Sequence, residues 1–134
     1  MKLVAGFGCQ KGCPAEVLGS LLQATLLRFN LQGAELLGLA SLDIKQHEPG
    51  LQALAEQLQR PLSFFSAAQL LPLEPLLSHR SAVAFAHTGC HGVAESAALA
   101  LAQRLGGQPA SLLVTRQKNA QATLALVQIP HDPR

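Results

Sequence analysis

The first residues that could do chemistry lie in a glycine-rich turn near the start of the chain. The segment 6–12, GFGCQKG, follows an apolar stretch and precedes a helical pattern. Glycine lets a ligand approach the backbone, and the free N–H groups of the following helix favour carboxylate or phosphate. Because the spacing departs from the dinucleotide fingerprint and no acidic residue ends the second strand, NAD binding is rejected. The alternative interpretation is a tight turn without a ligand.

A second candidate is a group of charged residues with mixed sign. Asp43, Lys45 and Glu48 lie between a predicted strand and a predicted helix. Glu48 takes the N-cap position before Pro49, where Ser, Thr, Asp or Asn is usual, so local structure does not explain the choice. The group is either part of a site or a solvated turn whose ion pair contributes little.

The third candidate is the segment 89–95, GCHGVAE, which again combines glycine with a helix start. Glu95 either complements the helix dipole or belongs to a site. His87 and His91 could bind a metal or act as acid or base. Lys118 lies in a predicted hairpin loop and becomes part of a site only if that loop folds over the strand ends.

The cysteines do not predict a metal centre. Cys9, Cys13 and Cys90 are odd in number, and no export signal precedes them, which argues for reduced thiols. The spacing of the first two is a poor match to zinc ribbons, and no second pair exists. We expect small, partly buried apolar side chains, with neither a metal nor a cofactor.

The elements that must position these residues are predicted from periodicity. Strands are predicted at 2–6, 36–40, 62–65, 82–86, 111–115 and 123–129; helices at 14–28, 49–58, 66–78 and 93–105; a hairpin loop at 116–122; and a loose tail at 130–134. This alternation predicts a single α/β domain over residues 1–134, with three α/β/α layers, a mostly parallel sheet and an antiparallel C-terminal hairpin. Turns at the carboxyl ends of parallel strands share one rim, so segments 6–12 and 89–92 are predicted to line one pocket.

Composition excludes several classes of protein. The chain is 49% hydrophobic and 13% charged, which is too apolar for disorder. Its net charge is +2, and the scattered basic residues have no aromatic platform beside them, which disfavours nucleic-acid binding. No apolar run approaches the roughly 20 residues that span a bilayer. The predicted location is the cytoplasm.

Taken together in this order, the three segments resemble one known family. The match runs through GFGCQKG, ASLDIK…EPGL at 40–51 and the segment 89–98, and covers roughly residues 2–129. The chain resembles the CobE family, which is similar to the C-terminal domain of CbiG proteins. The matching positions are Gly6, Gly8, Cys9, Gly12, Asp43, Lys45, Glu48, Gly89, Val93, Glu95 and Lys118.

The resemblance implies a role in cobalamin (vitamin B12) biosynthesis, with a precorrin or corrin intermediate as ligand and other pathway enzymes as partners. The candidate ligand-binding residues are Gly6, Gly8, Cys9, Lys11, Gly12, Gly89, Gly92, Val93 and Lys118. The candidate catalytic residues are Asp43, Lys45, Glu48 and Glu95. Corrin precursors carry many carboxylates, which helix N-terminal amides and lysines would bind.

Two main hypotheses follow from the resemblance. In the first, the chain is a carrier or accessory factor of the aerobic pathway that holds a labile intermediate. In the second, it is an enzyme that hydrolyses a lactone or isomerises a precorrin, since full-length CbiG-like proteins open a lactone on a cobalt-precorrin. Glu48 or Glu95 would then act as acid or base, and Lys45 or Lys118 would stabilise negative charge. A third reading is a purely structural partner of another enzyme.

Overall fold

The structure is a computed structural model that describes residues 1–106 and 110–129. The strands are β1 (Lys2–Cys9), β2 (Glu35–Leu42), β3 (Leu62–Phe65), β4 (Leu112–Lys118) and β5 (Ala122–Gln128). The α-helices are α1 (Ala15–Arg28), α2 (Pro49–Leu58), α3 (Ala67–Leu70), α4 (Ala82–Thr88) and α5 (Val93–Gly106). Two 3₁₀ helices span Asp43–Lys45 and Leu71–Leu76. The predicted loose tail, 130–134, lies outside the described residues.

The five strands form one mixed sheet in the order β3-β2-β1-β5-β4. β1 pairs in parallel with β2, and β2 with β3, whereas β5 pairs antiparallel with both β1 and β4. The predicted α/β class, with parallel strands first and an antiparallel C-terminal hairpin, is confirmed. Because β5 pairs with the central strand β1, the β4–β5 hairpin forms one lateral part of the sheet, with β4 at its edge.

Helices cover both faces of the sheet and give the predicted three layers. One core joins α1 and α2 to the side of β1 that carries Leu3, Ala5 and Phe7. The other core joins α5 and the segment 65–73 to the opposite side, where Val4 points. This alternation along β1 follows from the two-residue period of a strand. Both cores consist mainly of aliphatic side chains.

The predicted strand at 82–86 is wrong, because this segment forms helix α4. The Ser81 hydroxyl accepts a hydrogen bond from the Ala84 N–H at 3.1 Å, and Gly89 ends the helix with φ 74°. Ser81 is thus an N-cap and Gly89 a left-handed C-terminal residue, and both features stabilise a helix and not a strand. No residue of α4 is buried, and Val83 is 70% exposed. Segment 89–92 is therefore a turn between two helices, not a turn at a strand end.

The predicted loop at 116–122 is also too long. β4 continues through Lys118, which pairs with Thr123 of β5, so the turn is only residues 119–121. The Asn119 side chain closes it by accepting hydrogen bonds from the N–H groups of Gln121 and Ala122 at 2.9 and 2.8 Å. The polar residues that suggested a loop belong to a strand at the sheet edge, where polar side chains remain solvated.

Candidate functional site

A cavity of about 780 Å³ opens where β1 and β2 end. We call it the strand-end cavity. Its walls are the last residues of β1 and β2, the hairpin turn between β4 and β5, helix α4 and the first turn of α5. Leu42, Ile44, Val83, Ala84 and Val93 form an apolar part of this lining. Gly8 and Gly92 both line the cavity, so the two glycine segments meet there as predicted, although only the first follows a strand.

The predicted site residues divide into two groups in the structure. Those that line the strand-end cavity are Gly8, Cys9, Lys45, Gly92, Val93, Glu95 and Lys118. Those that do not line it are Gly6, Lys11, Gly12, Asp43, Glu48 and Gly89. The structure thus brings together about half of the sequence candidates, and specific contacts explain why Gly6, Gly12 and Glu48 lie outside the lining.

Gly6 lies where helix α5 crosses β1. A Cβ atom at this position would be 2.0 Å from the Ala94 carbonyl oxygen and 2.6 Å from the Ala98 nitrogen. Real Cβ atoms do not approach backbone so closely, and the absence of a side chain is what lets the helix pack on the strand. Gly6 therefore shapes the cavity indirectly, because it determines how closely α5 packs on β1.

Gly12 and Glu48 connect the first glycine turn to helix α2. Gly12 has φ 79°, and its N–H donates to the Glu48 Oε1 atom at 2.6 Å. Glu48 is the N-cap of α2, as predicted, but its side chain makes no hydrogen bond to its own helix. The unusual N-cap is thereby explained: the buried Glu48 carboxylate accepts from another turn and holds that turn in place.

Glu95 is a buried carboxylate with several donors from separate parts of the chain. Its side chain is 1% exposed. It accepts hydrogen bonds from the Ser78 N–H at 2.9 Å, the His79 N–H at 3.2 Å, the Arg116 N–H at 2.9 Å and the Ser78 hydroxyl. Glu95 thus joins the segment before α4 to strand β4, and so connects two walls of the strand-end cavity.

The protonation of Glu95 follows from these contacts. Burial alone would raise the pKa of Glu95, but the hydrogen bonds from the Ser78 hydroxyl and from backbone N–H groups outweigh it, so the pKa lies below the ordinary value of 4.5. The group is an ionised acceptor whose oxygens are already engaged. This arrangement suits a residue that holds the cavity walls in position, and it is less suited to a residue that transfers protons.

The decrease in the free energy of unfolding at acid pH is expected to depend on Glu95. Because its folded-state pKa is lowered, Glu95 stabilises the protein at pH values above about 4.5, and this contribution is lost as the pH falls through the lower folded-state value. Urea unfolding from neutral to acid pH should show a shallower acid decline in Glu95→Gln than in the parent protein. The control Glu56→Gln removes an exposed carboxylate. Parallel declines in the parent and Glu95→Gln would contradict this assignment.

The cysteines near the strand-end cavity are protonated thiols. Burial raises the pKa of Cys9 to about 11, although the nearby Lys45 ammonium opposes the shift. Burial and the Glu48 carboxylate raise the pKa of Cys13 as well. Since the thiolate is the nucleophilic form, Cys9 is a wall residue and not a poised nucleophile at neutral pH.

The charged groups of the cavity are mainly cations. Lys45 comes from the 3₁₀ turn after β2, and Arg116 and Lys118 come from β4. Glu95 is the one carboxylate among the described lining residues, and its oxygens accept the hydrogen bonds given above. Within residues 1–106 and 110–129, none of these three cations forms an ion pair. The cavity therefore presents apolar surface together with free positive charge.

Sequence reasoning missed Arg116 as part of the site, whereas it did consider that the hairpin could fold over the strand ends. Arg116 and Lys118 stand two residues apart on one strand, and such residues share a face. The turn itself is held over the end of β1, because the Gln10 N–H donates to the Gln121 carbonyl at 2.9 Å. The alternation would have identified Arg116 had the strand been predicted to its full length.

Together these features define a small α/β domain with a cationic cavity at one end of its sheet. The family model described as Cobalamin synthesis G C-terminus matches residues 3–127, and the chain belongs to this family. It is a protein of cobalamin biosynthesis, and the predicted resemblance is confirmed. Across the described residues, no helix has both the length and the apolar character to cross a membrane.

Relatives and solved structures agree with this assignment. The chain is 40% identical over 124 residues to Protein CobE of Sinorhizobium sp, covering 92% of this chain and 78% of that protein. A crystal structure of CobE superposes with a TM-score of 0.89 at 50% identity, covering 93% of this chain and 91% of that one. The crystal structure of the cobalamin biosynthesis protein chiG from Agrobacterium tumefaciens superposes with a TM-score of 0.72 at 26% identity, covering 96% of this chain and 99% of that one.

The family also contains longer proteins. The chain is 25% identical over 130 residues to the cobalt-precorrin-5A hydrolase of Priestia megaterium, covering 97% of this chain but 33% of the hydrolase. The chain therefore spans about a third of that relative, and the hydrolase activity belongs to a protein with much additional sequence.

Proposed function

We propose that the chain binds a precorrin or corrin intermediate in the strand-end cavity and holds it, in the cytoplasm, as a carrier or accessory factor of the aerobic pathway. The observation that carries the proposal is the cavity lining, in which Lys45, Arg116 and Lys118 stand beside apolar side chains. A corrin precursor matches this pattern, because its ring is largely apolar and its edge carries acetate and propionate carboxylates.

The size of the strand-end cavity is compatible with a large ligand. Its volume of about 780 Å³ lies in the upper part of the range of about 300–1,000 Å³ that is usual for small-molecule sites. Lys45 follows β2 and Lys118 ends β4, and β1 and β5 lie between these strands in the sheet, so the two cations would meet different carboxylates of one ring.

The contacts of the acidic residues favour binding over acid–base catalysis. Glu95 lines the cavity with its oxygens engaged, and Glu48 lies outside the lining with one oxygen bound to the Gly12 N–H. Asp43 is outside the lining too. A general acid or base must reach the proton that it transfers, and neither glutamate presents an unengaged carboxylate there. Lactone hydrolysis or isomerisation by this chain is therefore the second candidate.

One experiment separates these functions. The purified protein is incubated with hydrogenobyrinic acid and separately with a precorrin fraction, then passed through gel filtration, and the pigment is analysed by mass spectrometry. The proposal predicts pigment that elutes with the protein at unchanged mass and with an unchanged absorption spectrum. A lactone-opened or isomerised pigment would favour the enzymatic alternative. Pigment that elutes entirely apart from the protein would contradict binding.

A further inference from the structure

His91 lines the strand-end cavity with a ring that other side chains hold in place. Its Nδ1 atom lies 3.0 Å from the Glu74 Oε2 atom, and its backbone N–H donates to Glu74 Oε1 at 3.3 Å. The Phe85 ring of α4 stacks on the imidazole, with ring centroids 4.4 Å apart and an interplanar angle of 17°. A carboxylate and an aromatic ring thus restrain both the direction and the plane of the imidazole.

The contact with Glu74 determines how the neutral ring carries its hydrogen. An ionised carboxylate only accepts hydrogen bonds, so Nδ1 carries the hydrogen and donates to Glu74, while Nε2 keeps its lone pair. Among the described residues, Nε2 has no hydrogen-bond partner. The His91 side chain is 32% exposed and that of Glu74 is 13% exposed, and Glu74 does not line the cavity. Nε2 is therefore the ring atom that is available to a ligand.

A ligand carboxylate cannot form a hydrogen bond to the neutral form of this ring. Its oxygen would meet the Nε2 lone pair, and two acceptors that face each other repel. The protonated ring instead donates from both nitrogens, one to Glu74 and one to the ligand. A positive charge between two carboxylates favours this protonated form.

We propose that His91 binds one ligand carboxylate through Nε2 as an imidazolium, so that ligand binding takes up one proton. This inference rests on the proposed function, which supplies a ligand with carboxylates. The proton moves from the acid form of the buffer to Nε2, and no covalent bond of the ligand changes. The fixed cations of the cavity bind carboxylates throughout the neutral range, whereas His91 makes the affinity fall as the pH rises.

The surroundings of His91 leave it as the proton-linked group. The charged and titratable side chains of the segments packed around it are those of Glu74, His79, Arg80, His87, Cys90 and Glu95. Among the described residues, Glu74 alone lies within ion-pair or hydrogen-bond distance of the His91 ring. His79 lies 3.7 Å from Glu95 instead, and Arg80 donates to the Glu74 carbonyl oxygen at 2.8 Å. Near neutral pH, carboxylates, lysines and arginines keep their charge, so histidines are the groups that change.

His87 is the internal control for His91. It also lines the cavity, on the last turn of α4, but its side chain is exposed and forms no hydrogen bond or ion pair with other described residues. Because neither ring nitrogen is engaged, neutral His87 can turn an N–H toward a carboxylate in one of its tautomers without a proton. The structure therefore assigns the proton-linked contact to His91 and not to His87.

Isothermal titration calorimetry with hydrogenobyrinic acid measures the proton uptake, because the observed heat includes the ionisation heat of the buffer. At about pH 8, a comparison of HEPES and Tris should give between about half a proton and one proton per ligand for the parent protein. His87→Gln should retain this value, and His91→Gln should bring it close to zero. Glu74→Gln should lower it as well, because an amide does not stabilise the charged ring. From about pH 6.5 to about pH 8.5, the affinity of the parent should fall roughly tenfold more than that of His91→Gln.

A second measurement needs no variant to fold. Nuclear magnetic resonance of the parent protein with nitrogen-15-labelled histidines, at about pH 8, reports the protonation of each ring nitrogen. Saturation with hydrogenobyrinic acid should move the His91 Nε2 signal from the unprotonated to the protonated range, while Nδ1 stays protonated.

Each outcome has a defined meaning. If hydrogenobyrinic acid binds to the parent protein without proton uptake, and Nε2 stays unprotonated, the role of His91 is overturned and the proposed function stands. Proton uptake that persists in His91→Gln and disappears in His87→Gln overturns the assignment as well. If hydrogenobyrinic acid does not bind at all, the proposed function and this inference both fail.

Discussion

Replacement of Gly6 by alanine is expected to lower the free energy of unfolding by about 3 kcal/mol, and the melting temperature by roughly 10 °C. The added Cβ atom would lie 2.0 Å from the Ala94 carbonyl oxygen and 2.6 Å from the Ala98 nitrogen. Both are backbone atoms of α5, so no side-chain rotation relieves the clash. The helix must move away from β1, and this disturbs the core on that face of the sheet.

The matched control for Gly6→Ala is Gly33→Ala. A Cβ atom at Gly33 would meet nothing within 4 Å, and the residue is exposed. The control should stay within about 0.5 kcal/mol of the parent protein in urea unfolding. A Gly6→Ala protein that is as stable as the control, but binds hydrogenobyrinic acid more weakly, would contradict the packing role and favour direct ligand contact by Gly6.

Reversal of charge at Lys45 and Lys118 is expected to weaken the binding of hydrogenobyrinic acid roughly 100-fold or more. Each lysine lines the strand-end cavity, one beside the end of β2 and the other at the end of β4. The double variant Lys45→Glu/Lys118→Glu replaces attraction for ligand carboxylates with repulsion on both walls. Isothermal titration calorimetry measures the change, and the affinity of the parent protein should fall as salt is added.

The control for this charge reversal is Lys2→Glu/Arg60→Glu, which changes the net charge by the same amount. Both side chains are exposed, and they lie near the beginnings of the parallel strands β1 and β3, away from the strand ends that line the cavity. Binding in the control should remain within about threefold of the parent at physiological salt, where distant surface charges are screened. Equal losses in the two double variants would show that the overall charge, and not the strand-end cavity, attracts the ligand.

Much of the fold could be predicted because strong local signals mark its elements. The apolar start of the chain, the glycine turn and the helical spacing that follows describe β1 and α1 closely. Pro49 marks the beginning of α2, and the prolines within 71–76 limit α3 to a short helix followed by a 3₁₀ segment. These signals act through the backbone of a few neighbouring residues, so no distant contact was needed to interpret them.

Helix α4 was mispredicted because a short apolar run does not distinguish a strand from a helix. The apolar sequence AVAFA at 82–86 favours a strand, yet Ser81 before it and Gly89 after it are typical helix boundaries. The sheet also has no position for another strand beside β1, since β2 and β5 occupy both of its sides. The pairing of β5 with β1 is a long-range contact, and local pattern does not reveal it.

The candidate site was predicted in part because residue type indicates chemistry but not neighbours. Gly6 and Gly8 look equivalent in sequence, yet one packs under α5 and the other lines the cavity. Glu95 was identified as a site residue, but its donors come from Ser78, His79 and Arg116, which only the folded chain brings together. The Glu74 carboxylate likewise lies 3.0 Å from the His91 imidazole, although the two residues belong to separate segments of the chain.

The central claim is that the strand-end cavity is where the chain holds its tetrapyrrole. The most direct measurement is a heteronuclear NMR titration of the isotope-labelled protein with hydrogenobyrinic acid. We expect saturable shifts of the amide signals of Gly8, Cys9, Gly92, Val93 and Lys118, and little change at Asn30 and Gly33, which do not line the cavity. Shifts confined to other surfaces, or no saturable shift at all, would contradict the claim.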